Sequence, residues 1–109
     1  MFGNKMNAVE KAIKKNNAGA LIALGDNKDK EVSLAAIAGL GSVGGQEACN
    51  FLVSHLGSDE PDVRAAIAQA LGTIGDKHTK AFLSSQMGKE TDEKVKAAIR
   101  EAMVSIKEY

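Results

Sequence analysis

Few residues in this chain have the types and spacing that chemistry requires. Cys49 is the single cysteine, so it has no partner for an intramolecular disulfide and none for a thiolate metal site. His55 and His78 do not stand in a ligand spacing such as His-x-x-x-His, and a metal needs several donors brought to one point. Gly41-Ser-Val-Gly44-Gly45 is glycine-rich like a phosphate loop, yet it lacks the Lys-Ser/Thr ending and a preceding strand, and reads as a helix stop. Cys49 itself stands three residues before Leu52 and seven before Leu56. That is the apolar stripe of a helix, where a thiol behaves as a small buried hydrophobe. Asp62 and Arg64 allow two readings: Arg64 binds an anion or a partner, or Asp62 favours its helix N-terminus while Arg64 bridges to a neighbouring unit. No catalytic residue, metal ligand or cofactor site is expected.

The elements that would position these residues are all helical. The spacing predicts a short helix over Asn7–Lys15, with Met6, Val9 and Ile13 on one face, and a second over Ala18–Leu24 ended by Gly25. Asp29 caps a longer helix, Lys30–Val43, which Gly44-Gly45 ends. Further helices follow at Gln46–Leu56, at Pro61–Ile74 (stopped by Gly75), at Lys77–Met87 (stopped by Gly88) and, capped by Asp92, at Glu93–Lys107. Connections this short make successive helices antiparallel.

The pattern then repeats. From Val32, Val63 and Val95, three residues on come Ala35, Ala66 and Ala98; seven on, Gly39, Ala70 and Ala102; eight on, Leu40, Leu71 and Met103; eleven on, Val43, Ile74 and Ile106. Steps of 31 and 32 residues separate the copies. Such a period marks one supersecondary unit in a stack, with small residues where a neighbour comes close. The expected architecture is therefore all-α, an α–α superhelix of antiparallel pairs in one domain. It divides into an N-terminal half repeat (1–27), repeats at 28–57 and 58–88, and a C-terminal half repeat (89–109).

Composition narrows the classes. Lys plus Arg and Asp plus Glu are 14 each. A nucleic-acid binder carries a basic excess for phosphates, and zero net charge argues against that partner. The longest apolar stretch, Ala18–Leu24, is too short to span a bilayer. With one cysteine and no signal-peptide core at the N-terminus, a cytoplasmic location is expected.

Asp62-Val63-Arg64, Ala70-Leu71-Gly72 and Ile74-Gly75-Asp76 resemble the HEAT-like repeats of the phycobilisome-lyase type. Val32…Leu40-Gly41…Val43-Gly44 is a second copy, and Val95…Met103…Ile106 a third without glycines. Asp62, Arg64, Gly72 and Gly75 match the repeat's structural positions. Ser33 and Lys96 stand where Arg64 has its counterparts, which interrupts an Asp–Arg ladder. The resemblance implies a right-handed superhelix, with rear helices lining a concave face, that binds another protein. The alternative it implies is an accessory role in an enzyme or pigment-attachment (bilin) complex.

The rear helices carry the candidate partner site. At ~100° per residue, Phe51 falls roughly 150–160° from the stripe of Cys49, Leu52, Val53 and Leu56, as do Glu47 and Ser54. Phe82, His78 and Ser85 repeat those positions, and Ile22 matches Ser54 in the earlier helix. Ile22, Glu47, Phe51, Ser54, His78, Phe82 and Ser85 form one expected strip for a partner's helix or extended segment. The opposing reading leans Phe51 and Phe82 sideways into the gaps between repeats. At the C-terminus, Met103 and Val104 lie off the packed stripe, with Lys96, Arg100, Glu101, Lys107 and Glu108 as a partial polar cap. Both a monomer and a weak homodimer through this helix fit.

Overall fold

The computed structural model describes residues 2–107, and Glu108 of the expected polar cap lies outside them. Every regular element among these residues is helical: α1 (Phe2–Lys14), α2 (Ala18–Gly25), α3 (Lys30–Val43), α4 (Gln46–Ser54), α5 (Pro61–Ile74), a 3-10 turn at Lys77–Thr79, α6 (Lys80–Lys89) and α7 (Glu93–Ser105). The expected start and stop signals act as chemistry requires. Asp29 accepts the Glu31 N–H at 3.0 Å, and Asp92 accepts those of Lys94 and Val95 at 2.9 and 3.0 Å. Gly75 ends α5 in the left-handed conformation, φ 76°. Gly44 and Gly45, at φ 68° and 91°, turn the chain from α3 into α4 with no further loop.

Several boundaries differ from expectation: α1 begins at Phe2, five residues before Asn7, and α7 ends at Ser105, short of Lys107. The fourth helix ends at Ser54, short of Leu56, because the His55 N–H is shared between the Phe51 and Leu52 carbonyls. The helix expected from Lys77 opens as a 3-10 turn, since Asp76 caps the His78 N–H and Thr79 Oγ1 donates back to the Asp76 carbonyl at 2.7 Å. Gly88 does not stop α6, which continues to Lys89.

The helices form two layers. In the first, α1 packs on α3, α3 on α5 and α5 on α7; in the second, α2 packs on α4. Val32, Leu40, Val95 and Ile99 are fully buried between the layers with Leu21, Leu52, Ile67, Leu71 and Leu83. Helix backbones nearly touch within the first layer. A Cβ added to Gly41 would stand 3.1 Å from Cα of Ala70, and one added to Gly72 would stand 2.9 Å from Cα of Ala102. The small residues read at these positions are thus the contact points between successive units.

Polar ties join the same units. Lys30 Nζ reaches Glu60 at 3.0 Å and Asp62 at 3.3 Å. The Arg64 guanidinium donates from Nε and Nη2 to both oxygens of Glu90, each at 2.9 Å, and from Nη1 to the Ser58 carbonyl at 2.7 Å. Arg64 therefore bridges repeats, the second of its two readings. Glu90, a residue with no motif in the sequence, is 1% exposed at its side chain. It also accepts from Gln86 Nε2 and from the N–H groups of Thr91 and Asp92. The Arg64 hydrogen bonds, opposed by burial, bring its carboxyl from 4.5 down to about 2. At the position equivalent to Arg64, Ser33 Oγ donates to the Gly25 carbonyl at 2.6 Å. Ser33 thus bonds back to α2 where Arg64 reaches forward to Glu90, and Lys96 pairs within α7 with Glu93 at 3.4 Å, so the ladder stays interrupted.

Three substitutions test these contacts. Gly72→Val sets a Cβ and two methyl carbons against Ala102 and is expected to cost about 1–3 kcal/mol or more in denaturant unfolding. Gly88→Ala, with nothing within 4 Å, should be neutral or gain about 0.5 kcal/mol. Because the Glu90 carboxyl is depressed on folding, its stabilisation is complete above pH 4.5 and is lost as pH falls towards about 2. Arg64→Met should cost roughly 3 kcal/mol at pH 7, by stranding a buried carboxylate, and should remove most of that acid-side slope. A slope unchanged in Arg64→Met would show that other carboxylates produce it.

Candidate functional site

The second layer is unevenly filled, and Phe51 and Phe82 show why. Both are the sixth residue of matched stretches and 31 positions apart, yet Phe51 is 9% exposed and Phe82 52%. Phe51 nests on α2, where Gly25 has no side chain: a Cβ there would stand 2.7 Å from the ring's Cζ. His55 stacks on a face of the ring, centroids 4.1 Å apart, and its Nε2 holds Asp26 at 3.2 Å. The place of Gly25 is taken one repeat later by Leu56, itself buried. With no bay to enter, the Phe82 ring stays outside.

A cleft of about 350 Å³ results between α4 and α6, lined by Gln46, Cys49, Asn50, Val53 and Ser54 on one wall and Asp76, His78, Thr79 and Phe82 on the other. A smaller space of about 160 Å³ continues it past Val53 and Phe82 to Ser85, Gln86 and Lys89. Of the seven residues expected in one strip, the structure gathers Ser54, His78, Phe82 and Ser85 along this cleft. The other three depart from expectation. Phe51 is closed between α2 and α4, and Ile22 is half-buried against the core. Glu47 is exposed but borders neither space, because it lies on the turn of α4 facing away from α6. The residues that sequence reasoning missed are Val53, placed on the buried stripe but half-exposed in the cleft, and the polar edge of α4, Gln46 and Asn50, whose side chains bond each other at 2.8 Å. Their one signal was the spacing of 46, 50 and 53 along a single helix face.

Cys49 lies at the floor of the cleft, 2% exposed, and burial, with a smaller push from the Asp76 charge, raises its thiol pKa. A thiol held protonated is a poor nucleophile. His78 Nδ1 stands 3.1 Å from Asp76 Oδ1 and the imidazole is 83% exposed. The Asp76 carboxyl is lowered first by the His78 backbone N–H and then by its ring. This carboxylate is committed to capping the 3-10 turn. Among the described residues no group of three or more His, Cys, Asp or Glu side chains is placed to hold a metal ion, and no helix is long and apolar enough to cross a membrane.

Comparison with curated proteins finds no match. The model of the HEAT-repeat family, by contrast, matches residues 17–104, from the cap of α2 to the last turn of α7. It spans the glycine–alanine contacts, the Arg64 bridge and both walls of the cleft, and the chain belongs to the HEAT-repeat family.

Proposed function

We propose that this protein is a non-catalytic interaction module that holds a segment of another protein in the cleft between α4 and α6. The observation that carries this reading is the half-exposed Phe82 ring beside Val53, at the junction of two continuous spaces. A large apolar group left in water at the centre of a groove, with polar groups around it, is how hot spots are built. Family membership supports the same reading, since HEAT repeats commonly mediate protein–protein interaction. The 31-residue spacing favours the short, phycobilisome-lyase-type repeat within that family.

Phe51 and Phe82 separate stability from binding. Phe82→Ser should change unfolding free energy by less than about 0.5 kcal/mol and abolish capture of the proteins that wild type retains from its native cells. Phe51→Ser empties the bay over Gly25 and should cost roughly 3–5 kcal/mol. Val104→Ser, at a residue 76% exposed on α7, controls for loss of apolar surface alone and should leave capture intact. Retention of every partner by Phe82→Ser would overturn the reading.

A further inference from the structure

The face that α6 and its preceding turn offer the groove has a definite order of chemistry. His78, Phe82, Ser85 and Lys89 are all exposed and fall at i−4, i, i+3 and i+7, one stripe of a helix. Opposite them α4 presents Gln46, Asn50 and Val53. The apolar step, Phe82 with Val53, sits between the two spaces. The charges differ at the two ends: the upper space holds Asp76, already bonded to His78, while the lower holds Lys89 and no carboxylate. Asp59 and Glu90 share the adjoining polar hollow with Lys89. Neither pairs with it, and Glu90 is saturated by Arg64, Gln86 and two backbone N–H groups. Lys89 has no ion-pair partner among the described residues.

The walls also constrain the occupant's backbone. Both are flanks of helices whose N–H and C=O groups are spent on their own turns, so neither offers an edge for strand pairing. A segment entering the groove must satisfy its own backbone, which a helix does. Resting on the reading of the cleft as a protein-binding site, we infer that its occupant is an amphipathic helix of a partner protein with an acidic residue on its docking face. Apolar side chains at i and i+3 or i+4 seat between Phe82 and Val53. A carboxylate two turns further along, about 10 Å at 1.5 Å per residue, meets Lys89 and fixes the direction in which the helix lies.

The test presents the full chain to a displayed library of alanine-based helical peptides, randomised at i, i+3, i+4 and i+7. Apolar residues should be selected at the first three positions, and Asp or Glu at i+7. Lys89→Glu should turn the i+7 selection to Lys or Arg and weaken the best acidic clone about tenfold, while the chain stays folded with at most a small drop in thermal midpoint from a carboxylate at the C-terminal turn of α6. Proline in the middle of that clone should abolish binding by breaking the helix. Clones that bind through Phe82 with no charge preference, or with one that Lys89→Glu leaves alone, overturn the acidic helix while the cleft reading stands. Retained affinity in the proline variant overturns the helix. If no clone loses binding in Phe82→Ser, the cleft reading falls as well.

Discussion

The near contact of helix backbones at Gly41–Ala70 and Gly72–Ala102 governs how this molecule is put together. Two helices approach so closely only where one side has no Cβ and the other has little more. That closeness brings Val32, Leu40, Leu71 and Ile99 into one continuous interior, and apolar burial of this kind is the main favourable term in a chain of 109 residues. Each unit is two helices thick and cannot cover its own apolar face. Its stability is therefore largely the stability of its interface with the next.

Polar ties fix the angle at which that interface closes. Lys30 with Glu60 and Asp62 joins the starts of α3 and α5 in full view of solvent, a geometry that contributes little. Arg64 with Glu90 differs in kind. Both are largely withdrawn from water, the pair is bidentate, and the remaining carboxylate capacity is filled by Gln86 and by the backbone that leads into α7. The α6–α7 connection is set by a carboxylate whose partner belongs to α5. Such a pair selects one arrangement more than it adds net stability.

Helices, caps and repeat period were legible because each is written in local spacing: valines, alanines and glycines 31 or 32 positions apart, Asp29 and Asp92 one residue before a helix. What lay between elements was not. Angle around a helix axis places Phe51 and Phe82 alike and says nothing of what stands opposite, so the expected strip included a ring that is buried. The difference rests on Gly25 against Leu56, a pairing visible only once the repeat is carried across the rear helices. Glu90 escaped notice for a related reason: it follows a helix in a connection without periodicity, 26 residues after Arg64, and no motif announces it.

The same repeat logic sets α7 apart from α3 and α5. The forward-facing contact position is Gly41 in the first full unit and Gly72 in the second; carried on by 32 residues it is Val104. Val104 is 76% exposed, and Met103, whose counterparts Leu40 and Leu71 are fully buried, is only partly covered. At α7 a side chain stands where the two earlier units have hydrogen. The opening between α4 and α6 has the opposite cause, a side chain that found no bay. Leu56→Gly removes a buried side chain at a cost of about 2–5 kcal/mol, but should restore a bay and draw Phe82 inward, read as loss of the Phe82 ring's solvent exposure in a crystal structure of the variant. A ring that stays outside would show that Leu56 is not what keeps it there.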